Sequence, residues 1–182
     1  MSRLAARPVS IVVVLILAGC GIASVDTPDP AAIPSGPLVP LASNATGPVV
    51  ELGSGQAQGR GWRYSIYPSR DGWCTQLELG GTASTGCGDL LPSGDAAFGS
   101  VGAFRDEAGR AEAIEGIASP ETFTVWLIEN ESQRRFPATL MPLEPAGIDG
   151  VAFVGIPPAE LDVTHLQALA RSGEVLETYE LP

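Results

Sequence analysis

Over the C-terminal two thirds of the chain, apolar and polar residues alternate in short runs. In "GWRYSIYPSRDGWCTQLEL", Trp62, Tyr64 and Ile66 fall on one side and Arg63, Ser65 and Tyr67 on the other. After Ser69-Arg70-Asp71-Gly72, the residues Trp73, Thr75, Leu77 and Leu79 again share a side. A period of two is that of a strand with one buried face, and an Asp-Gly turn between two such runs predicts a hairpin. Similar runs cover 98–104, 111–117, 123–129, 135–141 and 151–156, with turn-rich breaks at 106–109, 130–133 and 145–150. Short strands spaced by roughly 8–12 residues predict an all-β, antiparallel β-sandwich, Ig-like or a small barrel.

Two segments compete with that pattern. "DEAGRAEAIEGIA" (106–118) is rich in helix formers. "PPAELDVTHLQALARSG" (157–173) reads either as a helix from Pro158 to a Gly173 cap or as a strand over 163–171 that turns at Ser172-Gly173. The period of Leu161, Leu166 and Leu169 does not choose between the two. The hairpin is the reading adopted, because "EVLETYEL" needs a neighbouring strand and Ser-Gly supplies a tight turn.

The N-terminus departs from alternation altogether. Arg3 and Arg7 precede an unbroken apolar run over residues 11–18, far short of the roughly 20 residues a membrane-spanning helix needs. A basic start, a short apolar run and then small residues make the pattern of a secretory signal. The run ends in Leu17-Ala18-Gly19-Cys20, which resembles the lipobox of bacterial lipoproteins. The resemblance implies that a diacylglyceryl group is attached to the Cys20 thiol and that residues 1–19 are cut away as a lipoprotein signal peptide. It places the chain on the extracytoplasmic face of the cell membrane. Two or three acyl chains, such as diacylglycerol plus palmitate, at about 0.8 kcal/mol per buried CH₂, hold it in the bilayer effectively permanently. Gly21, not Asp, follows the cysteine.

Composition changes between the leader and the alternating runs. Prolines 28, 30, 34, 37, 40 and 48 fall among Gly, Ser, Ala and Thr, and no aromatic residue occurs before Trp62. Such a segment buries too little surface to offset its ordering entropy, so residues 20–59 read as the lipidated cysteine and a flexible, disordered tether. At about 3.1 Å per residue in polyproline-like form, it reaches on the order of 100 Å from the membrane. The β-domain is expected over 60–182, although "GPVVELGSG" (47–55) is itself capable of adding an edge strand.

Charge narrows the partners. All ten basic residues are Arg, against 21 Asp and Glu, for a formal charge of −11. Loss of Arg3 and Arg7 with the leader leaves eight arginines against the same 21 acids. A surface this acidic repels nucleic acid, which is not expected as a partner. If Cys20 is acylated, Cys74 and Cys87 are the only thiols left, in an oxidising compartment that favours a structural disulfide. That bridge would close a loop of about 14 residues, worth about 3 kcal/mol in the chain-entropy model. The spacing suits neither a CxxC redox pair nor a zinc site.

Candidate chemistry is sparse. His165 is the only histidine, so any histidine-dependent catalytic set must run through it. On a regularly alternating strand it would share a face with Val163 and Gln167. No serine sits in a G-x-S-x-G elbow, no glycine-rich loop has the Lys-Ser/Thr of a phosphate cradle, and no calcium-loop pattern occurs. Glu129-Asn130-Glu131 reads as a solvated acidic turn with at most weak calcium binding. Neither catalytic residues nor a cofactor or metal site are therefore predicted. Trp62, Tyr64, Trp73 and Trp126 are the residues from which a ligand platform for sugar or peptide would be built, with core packing as their other role. In its order of Trp, Asp-Gly-x-Cys and Gly-Cys-Gly, the domain is similar to secreted domains of actinobacteria, a resemblance that implies no particular activity. The function expected is a membrane-anchored envelope lipoprotein whose domain binds or scaffolds an envelope protein, peptide or glycan. The alternatives are a small hydrolase using His165 and a structural surface protein without a ligand.

Overall fold

The hairpin read from the first alternating run forms as β2 (Arg60–Ser69) and β3 (Gly72–Leu79), with Ser69 paired to Gly72. Gly72 sits at φ 114°, and a Cβ there would lie 2.4 Å from the Gly88 carbonyl oxygen, so no other residue closes this turn without displacement. The hairpin gains a strand on each side: β1 (Val50–Ala57) against β2, and β4 (Thr82–Gly88) against β3. In this computed structural model, residues 29–129 and 131–182 are described. Residues 1–28, and with them the expected signal peptide, Cys20 and the start of the expected tether, lie outside them.

Two further four-stranded antiparallel sheets follow. One has the order β5 (Phe98–Arg105), β6 (Ala111–Ala118), β10 (Val151–Gly155), β9 (Thr139–Pro142). The other has the order β12 (Val175–Glu180), β11 (Val163–Leu169), β7 (Thr124–Glu129), β8 (Arg135–Pro137). The architecture is a β-sandwich, as expected. It has three layers, and none of its sheets closes into a barrel.

The β5-β6-β10-β9 sheet lies in the middle and buries both faces. Ala113, Ile117, Ala152 and Val154 pack with Trp62, Tyr64, Ile66, Leu77 and Leu79 of the first sheet. From the opposite face, Ile114, Ala118 and Phe153 pack with Val125, Leu127, Leu166 and Ala168 of the third. A strand buried on both sides loses its polar alternation, which is why "AEAIEGIA" carries apolar residues on both faces, with only Glu112 and Glu115 polar. The helix formers of 106–118 are overridden by this burial, and the segment is β6 after a turn closed by Gly109 N–H on the Asp106 carbonyl at 2.9 Å. Residues 157–173 take the strand reading, and β11 and β12 form the expected hairpin. The single run expected over 135–141 splits at Pro137-Ala138: β8 pairs with β7, and β9 crosses to β10 in the middle sheet.

The expected tether needs the largest correction. Residues 50–57 are strand β1, and residues 29–47 lie along the outer face of the first sheet. Arg63, held by Glu78 in an ion pair of 2.7 Å, donates to the Gly36 carbonyl at 2.7 Å. Leu41 N–H donates to Gln76 Oε1, Ala42 N–H to Tyr67 Oη, and Ala45 forms a β-bridge with Ser69. A proline-rich segment cannot build a core of its own, but a sheet already formed offers it fixed polar partners. The domain therefore begins well before residue 60.

Candidate functional site

The four aromatic residues proposed as a platform are not brought together. Trp62 and Tyr64 are buried between the first and middle sheets, and Trp73 packs at the margin of the same core. Trp126 stands half-buried on the far side of the molecule, on the outer face of the third sheet opposite Gln167. Core packing, their other expected role, accounts for the first three.

His165 also departs from its expected setting. A β-bulge between Val163 and His165 turns Val163 into the core while His165 faces outward beside Gln167. Its Nδ1 lies 2.8 Å from Thr164 Oγ1, and its cross-strand neighbours are Ile128 and Glu180. Glu129, in the acidic turn, accepts from Ser132 Oγ and from Arg134 Nε. These bonds hold its carboxyl below the usual range, the serine contact contributing most. Cys74 and Cys87 are directly opposed on β3 and β4, 4.1 Å apart at Cα, and form the disulfide. Cys87 lies on β4, a strand that the alternation pattern does not mark.

One buried polar group was missed. Glu115 of β6 reaches into the core between the first two sheets, where its Oε2 accepts from Tyr64 Oη at 2.5 Å and Thr75 contributes a second hydrogen bond. Burial pushes the Glu115 carboxyl above its ordinary pKa, against these two bonds. The Tyr64 phenol is held well above its ordinary range by burial first and by the Glu115 charge second, so it remains a donor. The single acid in the apolar run "AIEGIA" was the available signal. Buried on all sides, this group is poorly placed to meet a ligand.

A cleft of about 470 Å³ opens at one end of the sandwich. Three connections build it: residues 91–97 before β5, residues 119–121 after β6, and Asp149 before β10, with Leu176 of β12 completing the wall. Glu177 fixes the first connection, its Oε2 accepting from the N–H groups of Ala97 and Phe98 at 2.7 and 2.9 Å. The second is tied to the first by Ser119 N–H on the Ala97 carbonyl and is closed by Thr122 N–H on the Ser119 carbonyl. Leu91, Pro92, Pro120 and Leu176 supply apolar lining, and Asp95, Glu121 and Asp149 supply carboxylates. Among the described residues, no group of three His, Cys, Asp or Glu side chains is arranged to hold a metal ion. An apolar wall with dispersed carboxylates suits an organic ligand that carries a positive charge. Comparison of the chain with protein-family models, with curated proteins and with solved structures finds no match.

Proposed function

We propose that this chain is a cell-envelope lipoprotein, anchored through acylated Cys20 on the extracytoplasmic face of the membrane, whose β-domain is a binding module. The observation that carries the reading is the order Leu17-Ala18-Gly19-Cys20 at the end of a short apolar run with a basic start. The Cys74–Cys87 disulfide supports it, since such bridges persist in oxidising compartments outside the cytoplasm. The cleft between residues 91–97, 119–121 and Asp149 is the surface assigned to the ligand, an envelope peptide or glycan bearing an amine.

Mass spectrometry of the protein purified from a bacterial membrane tests the anchor. The expected mature chain starts at Cys20 and carries diacylglyceryl and acyl mass. An unmodified cysteine, or cleavage elsewhere, overturns the reading. The rival role as a hydrolase using His165 would be established by an activity that His165→Ala abolishes while the fold is retained.

A further inference from the structure

Among the described residues the three sheets end in six edge strands, and five of them carry features that discourage further pairing. β1 has Glu51 and a bulge at Glu51/Gly53, and β5 is bulged at both ends. β9 is four residues long and ends in Pro142; β8 is three residues long, with Arg135 and Pro137. β12 carries Glu177 and Glu180 and meets β11 through a bulge. Short length, charge, proline and bulges are the ordinary protections of an exposed sheet edge.

β4 has none of them. Its sequence, Thr-Ala-Ser-Thr-Gly-Cys-Gly, contains no charge and no proline, and its register with β3 is unbroken from Thr82 to Gly88. Thr82 through Cys87 are all exposed, on both faces of the sheet. Orientation of the backbone follows from the disulfide. The Cα separation of 4.1 Å between Cys74 and Cys87 is that of a narrow, non-hydrogen-bonded pair, so the N–H and C=O of Cys87 point away from β3. At steps of two residues, those of Thr85 and Ala83 point the same way. The strand is held straight: the disulfide fixes one end, and Thr85 Oγ1 donates to the Thr75 carbonyl at 2.7 Å.

We propose that β4 is a self-association edge, pairing antiparallel with β4 of a second copy about a two-fold axis at Thr85. In that register Thr85 faces its own counterpart and Ala83 faces Cys87, so the outward backbone groups of the two copies match. The pairing is isologous and consumes the edge, which closes the assembly at two copies. Charge selects this occupant. A basic strand would be drawn to acidic positions, whereas β4 is neutral in a chain of net charge −11. Two acidic copies can meet only where neither presents charge, and the nearby Glu78 is already paired with Arg63. An edge of seven residues is a small interface, so the dimer is weak and forms at high protein concentration. It strengthens as salt screens the repulsion between the copies. The pairing does not depend on the lipid anchor.

Sedimentation velocity of the purified protein across concentration and NaCl tests this, together with amide hydrogen exchange. The expected species has twice the monomer mass and grows with both variables. In it, the amides of Ala83, Thr85 and Cys87 become protected, while those of Ser84 and Gly86, bonded to β3, are protected throughout. Ala83→Pro removes one outward donor per copy and no bond to β3, and should weaken association by at least about tenfold. Circular dichroism and the thermal midpoint show whether that variant is folded, and Ser84→Lys, a charge on an exposed position, should have the same effect. A protein that stays monomeric, or a dimer indifferent to both substitutions, overturns the proposal. So does protection of the same amides by an alternating Lys-Val peptide with binding that weakens in salt, which would make β4 a docking edge for a foreign strand.

Discussion

The two cores on either side of the middle sheet are built to different rules, although the same strands furnish both. On one side Phe98 meets Phe153 and Tyr179 edge to face, with ring centroids 5.6 and 6.0 Å apart, among Ile114, Val125, Leu127 and Leu166. On the other, the Tyr64–Glu115 hydrogen bond sits among Trp62, Ile66, Leu77 and Ile117. β6 serves both cores with consecutive residues, Ile114 to the aromatic side and Glu115 to the polar one. Glycine makes room in each case. A Cβ on Gly116 would lie 2.7 Å from the Phe153 ring and 2.2 Å from the Ser100 carbonyl oxygen; one on Gly102 would lie 2.6 Å from Glu115 Oε1. A sheet buried on both faces leaves little room for bulk on either.

Breaking the aromatic side should have the largest effect. Phe153 is fully buried, and Phe153→Ala removes the ring that faces Phe98. The expected loss is about 3–5 kcal/mol in denaturant unfolding, with most of the domain's cooperativity at stake. A loss below about 1 kcal/mol would mean that this core collapses around the gap and that the ring contacts are dispensable. Gly116→Ala sharpens the same point from the backbone. Phe153 can tilt, but the Ser100 carbonyl is part of β5 and cannot move freely, so overpacking should cost about 1–3 kcal/mol. A neutral substitution would show that β5 and β6 separate easily here.

The difference between the two cores was only partly legible in the sequence. Strong alternation with large residues gave β2 and β3, because one face of that hairpin packs on the middle sheet. β11 and β12 were readable through the turn at Ser172-Gly173, but the bulge that sends Val163 and His165 to opposite faces has no sequence signature. β4 was missed because Thr, Ala, Ser and Gly form no apolar stripe; its order comes from β3 and the disulfide. The segment over 29–47 was misread for a related reason. Arg63, Tyr67 and Gln76 occupy the polar phase of the alternation and suggested a solvent face, whereas they are the partners that bind this segment. The cleft was invisible because Asp95, Glu121 and Asp149 come from three separate connections.

The polar core offers the subtlest contrast, because there the expected change is a gain. Gln at position 115 keeps an oxygen to accept from Tyr64 Oη and removes the charge whose burial is unfavourable. The sign with pH follows from the direction of the shift. Burial raises the carboxyl's pKa in the folded state above its unfolded value, so folded protein holds the extra proton between the two. Stability contributed by this group is therefore fully present below the unfolded pKa and is lost as pH rises through the folded one. Glu115→Gln should match the wild type in acid and exceed it by about 1 kcal/mol at neutral pH, read as the difference between two pH series of denaturant midpoints. Asp106 and Glu129 shift in the opposite direction, but they are common to both proteins and cancel in that difference. A gap that stays constant with pH would mean that Glu115 does not titrate differently in the fold. A variant less stable than wild type at every pH would mean that the carboxylate, with its Tyr64 and Thr75 hydrogen bonds, holds the two sheets together better than a neutral amide can.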